Sequence, residues 1–286
     1  MNATWDDDKF PCLVVTSEEA LGTVHRLDQN HVCLGSDKQA DIYLPMRGVG
    51  AFHAELSEND QQWLLSSCDD HLTLHKDKLV QAPISLSDGD GIELGNVKLK
   101  FRVFDQEDLR YHAALRQLAI RDGLTDLYNV RFFADALQKE HEYSFRKQSS
   151  LALLFMDIDH FKLVNDRFGH AYGDFVLKEL ASLLTTKIRG YDLLARYGGE
   201  EFVFMVREDS QQAVHELAHR ICSDVREHVF NHIGIRSQLT ASIGYFWWDG
   251  KDRETSAEDI LKKADDHLYA AKDAGRDQVI PANLES

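Results

Sequence analysis

Two acidic pairs stand where the chain could hold a divalent metal ion. Asp157 and Asp159 follow the apolar run LALLFM, and Glu200 and Glu201 follow two glycines in the segment RYGGEEF. Gathered carboxylates with few neighbouring cations are costly to fold unless a hard metal ion such as magnesium neutralises them. The glycines leave the backbone accessible to a large ligand such as a nucleoside triphosphate. We therefore predict a magnesium site here, with a solvated acidic turn as the alternative.

These carboxylates can meet only if a sheet brings their two segments together. The run Leu151 to Asp157 predicts a buried strand, and Leu193 to Val206 predicts a hairpin that turns at Gly198 and Gly199. The other periodic segments predict a helix from Gly173 to Ile188, a helix near Gln211 to His228, a strand near Gln238 to Trp247, and a helix to Gly275 that begins with a Ser256 and Asp259 capping box. The order βαββαβ is ferredoxin-like, so residues 123–286 are predicted to form an α/β domain.

The first third of the chain has the pattern of an all-β domain. Short apolar runs from Phe10 to Phe104 contain β-branched residues and alternate with Gly, Asp, Asn and Ser, which predicts an antiparallel sandwich over residues 1–105. Residues 106–122 have helical spacing and no proline, so they are predicted to form a connecting helix. Its narrow apolar stripe could pack on its own chain or pair with a second copy as a coiled coil. The stripe consists of Leu109, His112, Ala113, Ala119 and Ile120.

Length, charge and cysteine content limit the classes of function. The 286 residues suit two domains of ordinary size. A formal net charge of −16 disfavours nucleic acid and anionic membrane as partners, although magnesium, lysine and arginine can still hold a phosphorylated ligand in one cleft. The chain begins with acidic residues and has no run of about 18 apolar residues, so we expect a soluble, cytoplasmic protein. The four separated cysteines argue against a disulfide or zinc framework.

Five motifs in the second half resemble the GGDEF domain of diguanylate cyclases. In chain order they are DGLTDLYNVRFF, DIDHFKLVNDRFGHAYGD, RYGGEEF, TASIG and LYAAKDAGRD, and they extend over about residues 123–281. The resemblance implies a nucleotidyl-cyclase-like fold. It also implies a transferase of bacterial signal transduction, which condenses two GTP molecules into cyclic di-GMP and releases pyrophosphate.

The resemblance also assigns the metal ligands and the base. Magnesium would be held by Asp157, the backbone carbonyl of Ile158 and Glu200, with two ions in each site and manganese as an alternative metal. Either Glu200 or Glu201 would accept the proton of the attacking ribose hydroxyl, and the sequence does not decide between them. The metal would stabilise the charge that develops on the transferred phosphoryl group.

The remaining substrate contacts follow from the same motifs. Asn165 and Asp174 match the residues that read guanine in the family, and an amide and a carboxylate together can distinguish guanine from adenine. Cationic side chains and backbone amides would bind the phosphate oxygens of GTP. The side chains are those of Lys162, Lys272 and Arg276, and the amides are those of His160 and Phe161.

Activity is expected to require a homodimer. Each GGDEF domain binds one GTP, so two copies must meet with two-fold symmetry before a ribose hydroxyl reaches the other α-phosphorus. Arg189 and Asp192 also resemble the family's RxxD site, at which cyclic di-GMP inhibits its own synthesis, and Arg220 lies where a second contact is often found. An arginine there could clamp phosphate and stack on guanine, whereas the alternative is an ordinary surface ion pair.

The first domain resembles a forkhead-associated (FHA) domain, a β-sandwich that normally binds phosphothreonine. The resemblance rests on the segments LGSDKQADIYLP, HAEL and LSDGDGIELGNVKLKF. Ser36, Gly50 and Asp70 stand where the family has the arginine, serine and asparagine that hold the phosphopeptide, although Arg47 could substitute for the arginine. We therefore favour a degenerate module that binds a protein partner or dimerises over a working phosphothreonine reader. In either case it would control how two cyclase domains meet.

Two other interpretations of the whole chain stay open. A catalytically silent GGDEF domain could act as a receptor for GTP or cyclic di-GMP, and the first domain could serve a phosphothreonine-dependent scaffold. Asp126, Val130 and Asp277 depart from the family's usual residues, but none of them occupies a metal or guanine position. His215 and His219 fit the zinc motif HExxH; they flank the apolar stripe of a predicted helix and no third ligand follows, so we reject a zinc site.

Overall fold

The chain divides into two units, residues 1–119 and 120–286, the first rich in strands and the second a mixed α/β domain. This confirms the fold class predicted from the sequence. The computed structural model describes residues 8–17, 20–46, 48–60, 62–68 and 71–281. Arg47 and Asp70 of the FHA resemblance lie outside the described residues. No helix in the described part of the chain is long and apolar enough to cross a membrane.

The first unit is a sandwich of two sheets. Its strands are β1 (Phe10–Val15), β2 (Val24–Arg26), β3 (His31–Gly35), β4 (Ile42–Tyr43), β5 (Ala54–Asn59), β6 (Gln62–Ser67), β7 (Thr73–His75), β8 (Lys78–Leu79), β9 (Ile84–Ser85), β10 (Gly91–Leu94) and β11 (Val97–Phe104). One sheet has the order β2-β1-β11-β10-β7-β8 and the other β4-β3-β5-β6-β9. Residues alternate along β11, where Leu99 and Phe101 are buried while Lys98 and Lys100 are exposed, so one face of this strand forms the core.

Helix α1 (Gln106–Ile120) follows the sandwich directly. The Asp105 carboxylate accepts hydrogen bonds from the Glu107 and Asp108 N–H groups at 2.8 Å, which caps the start of the helix. Leu109 packs on the sandwich and the His112 ring stacks on Phe104 with ring centroids 4.6 Å apart. These two residues of the predicted stripe thus pack on their own chain.

The opposite side of α1 carries an apolar stripe that the sequence analysis did not identify. Tyr111, Leu115 and Leu118 are 63%, 42% and 78% exposed, and their spacing of four and three residues places them on one face. Two members of the predicted stripe, Ala113 and Ala119, are exposed. Because Leu109 and His112 already face the sandwich, any pairing through α1 would use the Tyr111, Leu115 and Leu118 face.

The second unit is a six-stranded sheet with helices on both faces. Its strands are β12 (Tyr128–Asn129), β13 (Leu151–Ile158), β14 (Leu193–Gly198), β15 (Glu201–Val206), β18 (Ala241–Trp248) and β19 (Val279–Pro281), in the order β12-β14-β15-β13-β18-β19. A separate hairpin consists of β16 (Phe230–His232) and β17 (Ile235–Ser237). The helices are α2 (Val130–Lys147), α3 (Phe161–Phe168), α4 (His170–Thr185), α5 (Gln211–Glu227) and α6 (Ala257–Asp273).

Strand β13 lies inside this sheet, and all eight of its residues are buried. It pairs antiparallel with β15 on one side and with β18 on the other. Leu154 and Met156 pack with side chains of α4 and α5, whereas Leu153 and Phe155 pack with side chains of α2 and α6. Coverage of both faces explains why the strand is a continuous apolar run, and the first carboxylate appears only where the strand ends.

The helix predicted from Gly173 begins three residues earlier and is preceded by a separate helix. Helix α4 starts at His170, and α3 ends at Phe168. Gly169 between them has a φ of 84°, a conformation that glycine adopts without steric cost, so the chain turns sharply instead of continuing one helix. The capping box of Ser256 and Asp259 at the start of α6 is confirmed, with both reciprocal hydrogen bonds present.

Two turns also differ from the sequence analysis. The turn of the β14–β15 hairpin consists of Gly199 and Glu200, one residue later than predicted, because Gly198 pairs with Glu201. The β16–β17 hairpin was not predicted. Its turn residues Ile233 and Gly234 both have positive φ values, and an isoleucine gives no sequence signal for such a turn.

Candidate active site

Three carboxylates meet at one end of the central strands. Asp157 and Glu201 are directly opposed in the register of β13 and β15, and Glu200 lies in the turn before β15. The Ile158 N–H donates to the Glu200 carbonyl at 3.3 Å, which ties this turn to the end of β13. We call Asp157, Glu200 and Glu201 the carboxylate edge. Two segments that are more than 40 residues apart in the chain thus form one acidic site.

Asp159, which the sequence analysis grouped with these acids, has a different environment. One carboxylate oxygen accepts from the Ser242 hydroxyl at 2.7 Å. The other accepts from the Thr240 hydroxyl at 2.6 Å and from the Asp277 N–H at 2.9 Å. The side chain is buried and its oxygens are occupied by donors of its own chain, so Asp159 is a structural carboxylate that joins β13, β18 and the turn after α6.

The pKa values of all three residues of the carboxylate edge are raised. Burial is the largest cause in each case, and the charge of Asp157 adds to it for Glu200 and Glu201. The Lys272 ammonium lies 2.7 Å from the Asp157 carboxylate and opposes the rise for all three acids. Lys272 therefore acts on all three acids and Arg276 on Asp157, and the edge favours additional positive charge.

A magnesium ion suits these donors if a ligand shares its coordination. The Asp157 and Glu200 carboxylates and the Ile158 carbonyl supply hard oxygen atoms at the same edge. Within the described ranges, no group of three or more His, Cys, Asp or Glu side chains is arranged to hold a metal by itself. Magnesium is commonly bound by one or two carboxylates together with substrate phosphates. The residues present thus fit an ion whose coordination is completed by another ligand.

Arg196 fixes the position of the hairpin tip, a role that the sequence analysis did not assign. Its guanidinium donates to the Gly199 carbonyl at 2.6 and 3.0 Å and to the Asp122 carboxylate at 3.0 Å. Asp122 also accepts from the Thr125 hydroxyl and N–H. The turn that carries Glu200 is therefore anchored to the segment at the start of the domain. Arg196 and Asp122 both lie in recognised motifs, but their pairing over 74 residues has no signal in their spacing.

The two residues predicted to read guanine lie on neighbouring helices. Asn165 is on α3, and Asp174 is in the first turns of α4. A side chain at Gly173 would meet the Asn165 Oδ1 atom at 2.0 Å, so Asn165 rests directly against the backbone next to Asp174. The glycine turn at Gly169 allows the two helices to approach in this way. The structure thus places the Asn165 amide against the backbone that directly precedes Asp174.

The predicted phosphate-binding groups lie at the start of α3 and the end of α6. His160 precedes α3 with a φ of 57° and caps no backbone amide with its side chain, and Phe161 and the exposed Lys162 begin the helix. On α6, Lys272 contacts Asp157, and the Arg276 guanidinium donates to the Lys272 carbonyl at 3.3 Å. The positive charge of Arg276 also opposes the rise in the pKa of Asp157, although burial, Lys272 and Asp159 affect this pKa more. Two of the three predicted cations therefore accompany the carboxylate edge.

Comparisons with known proteins match both units of the chain. Residues 119–278, more than half of the chain, match the family model described as the GGDEF domain of diguanylate cyclases. The chain belongs to the GGDEF diguanylate cyclase family. Residues 16–105 match the model of the cytoplasmic domain of the inner membrane component of the type III secretion system, Yop-YscD, which is FHA-like. Both domains predicted from the sequence are thus recognised.

Relatives with this GGDEF domain include curated enzymes and solved structures. Diguanylate cyclase DgcP of Pseudomonas aeruginosa is 36% identical over 178 residues, which are 61% of this chain and 26% of DgcP. The coiled coil and GGDEF domain of DgcB from Caulobacter crescentus, solved with cyclic di-GMP, is 30% identical with a TM-score of 0.58 and covers 62% of this chain and 93% of that one. SiaD of P. aeruginosa, solved with its activator SiaC, is 34% identical with a TM-score of 0.56, over 62% of this chain and 67% of that one. The chain spans only about a quarter of the length of DgcP.

The RxxD segment of this GGDEF domain has a partner that the sequence did not indicate. The Arg189 N–H donates to the Asp192 carboxylate at 2.9 Å, but the Arg189 guanidinium donates to the Tyr191 hydroxyl at 2.8 Å and pairs with Glu208 at 2.8 Å. The Asp192 Oδ1 atom is buried and accepts no hydrogen bond from the described residues. Arg220 is exposed on α5. Glu208 is therefore a competing partner for any phosphate that Arg189 binds.

In the FHA-like domain, two of the positions expected to bind a phosphopeptide contact each other. The Ser36 N–H donates to the Gly50 carbonyl at 2.8 Å. A side chain at Gly50 would lie 2.2 Å from the ring of His71, which stacks on the buried His53 with ring centroids 4.9 Å apart. The His71 ring thus occupies the space into which a side chain at position 50 would extend.

The HExxH histidines of the GGDEF domain contact each other and a tyrosine. The rings of His215 and His219 are 4.3 Å apart between centroids, and His215 Nδ1 lies 3.2 Å from the Tyr245 hydroxyl. The apolar stripe predicted for α5 is confirmed, since its members are buried in the core. They are Val214, Leu217, Ala218, Ile221 and Val225.

Proposed function

We propose that this chain condenses two GTP molecules into cyclic di-GMP and releases pyrophosphate. The carboxylate edge beside Lys272 carries the proposal, because its three acids have raised pKa values and share Lys272 and Arg276 as counter-charge. Such a site is costly to the fold and favours a cation bound together with a phosphorylated substrate. The membership of the chain in the GGDEF family supports GTP as that substrate.

Asp157, Glu200 and the Ile158 carbonyl would hold the magnesium ions, two in each site, with manganese as an alternative. The bound metal would stabilise negative charge on the transferred phosphoryl group and lower the pKa of the attacking hydroxyl. Lys272 now pairs with Asp157 at 2.7 Å and is placed to turn toward the phosphates when GTP binds.

Glu200 or Glu201 accepts the proton of the ribose 3′-hydroxyl. Their raised pKa values, caused first by burial and then by the charge of Asp157, bring them nearer to the working pH of a general base. The 3′-oxygen of one GTP forms a bond to the α-phosphorus of the other while the bond to the β-phosphate oxygen breaks and pyrophosphate leaves. A second such event closes the ring.

Binding of GTP is shared between two groups of residues. Asn165 and Asp174 select guanine, because an amide and a carboxylate complement its ring acceptors and its N–H donors. The triphosphate is held by the start of α3 and the end of α6. Its contacts are the side chains of Lys162, Lys272 and Arg276 and the amides of His160 and Phe161.

The active form is a homodimer, since one GGDEF domain offers one carboxylate edge and the reaction joins two nucleotides. The exposed face of Tyr111, Leu115 and Leu118 on α1 supports pairing through this helix. The GGDEF domain of DgcB was likewise solved together with a coiled coil. The two copies would then be held with their carboxylate edges able to meet.

Cyclic di-GMP inhibits its own synthesis by binding Arg189, Asp192 and Arg220. The solved complex of DgcB with cyclic di-GMP supports this proposal, and so does the buried Asp192 Oδ1 atom, which accepts no hydrogen bond from the described residues. The FHA-like domain binds a protein partner and thereby regulates dimerisation, as the complex of SiaD with an activator protein suggests by analogy. A cytoplasmic location follows from the use of GTP.

Purified full-length chain incubated with magnesium and either GTP or ATP tests the proposal. We expect cyclic di-GMP from GTP and no cyclic dinucleotide from ATP, measured by chromatography with mass detection. Bound GTP without any product, at protein concentrations that enforce dimerisation, would overturn the cyclase proposal and favour a silent receptor. Product from ATP would contradict the roles of Asn165 and Asp174.

A further inference from the structure

The turn after α6, which carries Arg276, has an unusual backbone. Gly275, Arg276 and Asp277 have φ values of 119°, 68° and 51°, so three successive residues lie in the left-handed region. Only glycine adopts this region without cost, and two neighbouring non-glycine residues there must be held by surrounding contacts. The turn follows Lys272 by one helical turn and so lies beside the carboxylate edge.

Backbone hydrogen bonds hold this turn from two sides. The Arg276 N–H donates to the Ala271 carbonyl at 3.0 Å, which ties the turn to α6. The Asp277 N–H donates to the buried carboxylate of Asp159 at 2.9 Å, which ties it to the end of β13. These bonds fix the backbone, but they leave the side chain of Asp277 directed to another element.

That element is α5, through Arg226. The Arg226 Nε atom lies 2.8 Å from Oδ2 of Asp277, and Nη2 lies 2.8 Å from Oδ1, a two-pronged ion pair between residues 51 positions apart. Arg226 also donates to the Asp277 carbonyl at 3.4 Å. A planar guanidinium bound at two points restricts the orientation of its partner more than a single contact does. The pair therefore restrains the residue that directly follows Arg276.

We infer that Arg226 is a positioning residue for the GTP phosphates, because its ion pair with Asp277 holds the turn that presents Arg276. The inference rests on the proposed function, in which Arg276 binds phosphate. It also gives a reason for Asp277, which stands where the family commonly has asparagine: an asparagine tolerates the same backbone but cannot form the charged pair with Arg226. In this role Arg226 acts through Asp277 and does not itself bind the nucleotide.

Kinetics of Arg226→Gln with GTP test this role. Loss of the pair lets the turn relax, so we expect KM for GTP to rise about three- to tenfold while kcat changes less than about twofold. Arg226→Lys keeps the charge without the two-pronged geometry and should give an intermediate KM. Arg207→Gln is the matched control, because Arg207 forms a similar pair with Glu140 and its side chain is 48% exposed against 47% for Arg226. It should leave KM unchanged.

A merely structural role would lower the fraction of active protein, so that kcat falls while KM stays constant. An unchanged KM in Arg226→Gln, with or without a lower kcat, overturns the inference. Asp277→Asn serves if Arg226→Gln fails to fold, and its KM should rise in the same direction. If the wild-type chain makes no cyclic di-GMP, the proposed function fails, and calorimetric binding of a non-hydrolysable GTP analogue with magnesium replaces KM. Weaker binding by Arg226→Gln, with wild-type binding by Arg207→Gln, then supports the positioning role. Equal Kd values, or no binding by the wild type, overturn it.

Discussion

Asp90 in the first domain and Asp157 in the second are both buried carboxylates with a lysine ammonium 2.7 Å away, yet their pKa values move in opposite directions. For Asp90, burial opposes ionisation, but hydrogen bonds from Lys76 and His75 outweigh it and hold the pKa below its ordinary value. For Asp157, burial outweighs the hydrogen bond from Lys272, and the pKa is raised.

The neighbouring groups explain this difference. Asp90 is surrounded by donors, whereas burial and the charge of Asp159 both raise the pKa of Asp157, which also shares its edge with the acids Glu200 and Glu201. The first domain thus neutralises its buried charge with its own residues. The second gathers more acids than the nearby Lys272 and Arg276 balance, and it does so where the family motif lies, so that an added cation would stabilise the ionised form. Carboxylates whose charge destabilises the folded chain are the ones expected to bind the metal or to take part in the reaction.

The largest expected effect comes from removing acids of the carboxylate edge. Glu200→Gln and Glu201→Gln should each lower cyclic di-GMP formation by about a thousandfold or more, because a metal ligand or the base is lost. Burial makes the ionised form of each glutamate unfavourable in the folded chain. A neutral glutamine should therefore leave the melting temperature the same or raise it by about 1–3 °C.

Chromatographic assays and thermal unfolding of the same samples measure both quantities. Glu142→Gln, at an exposed position of α2, is the control and should change neither. A fall of several degrees in melting temperature with either glutamine would show that these acids stabilise the fold as Asp90 does. The contrast between the two domains would then be wrong.

Asp90→Asn should lower stability without lowering activity, the converse of the glutamate substitutions. Loss of the charge weakens the hydrogen bonds to Lys76 and His75, so the free energy of unfolding of the first domain should fall by about 1–3 kcal/mol. The rate of cyclic di-GMP formation at saturating GTP should be unchanged. Hydrogen exchange followed domain by domain locates the destabilisation, and a lower stability confined to the GGDEF domain would contradict this expectation.

The pH dependence sharpens the same comparison. The pKa of Asp90 is lower in the folded chain than in the unfolded one, so its ionised form stabilises the first domain above a pH of about 4, and this contribution is lost as the pH falls through the folded value. Asp90→Asn should therefore flatten the loss of stability of the first domain between about pH 5 and 2. Denaturation curves at several pH values measure this, and equal slopes for variant and wild type would refute it.

The smallest expected effect concerns Glu208, a carboxylate that pairs with Arg189 and that a bound phosphate could replace as the partner of this arginine. Glu208→Gln removes the competing partner of Arg189, so the inhibition constant for cyclic di-GMP should fall by about two- to fivefold. Arg189→Ala should instead relieve inhibition. Initial rates with added cyclic di-GMP measure both, and weaker inhibition in Glu208→Gln would mean that Glu208 orders the site instead of competing with the product.

The sequence predicted those parts of the site that depend on local patterns. The strand before Asp157, the hairpin at Glu200 and the capping box at Ser256 each have a short signature, and the structure confirms all three elements. The shift of the turn by one residue and the separate α3 depend on individual glycine conformations. Apolar periodicity does not contain that information.

Contacts between distant residues could not be predicted in this way. Asp159 has the same residue type and spacing as a metal ligand, and only the hydroxyls of Thr240 and Ser242 show that its oxygens are occupied. The pairs of Arg226 with Asp277 and of Arg189 with Glu208 join segments whose distance depends on the packed fold. Side-chain chemistry identifies possible partners, but tertiary structure selects among them.

The most direct test of the account measures GTP, cyclic di-GMP and pyrophosphate together during a dilution series of the full chain with magnesium. Two molecules of GTP consumed should give one of cyclic di-GMP and two of pyrophosphate, and the activity per chain should fall on dilution as dimers dissociate. GTP that is bound but not converted at any protein concentration would contradict the claim that the carboxylate edge is catalytic.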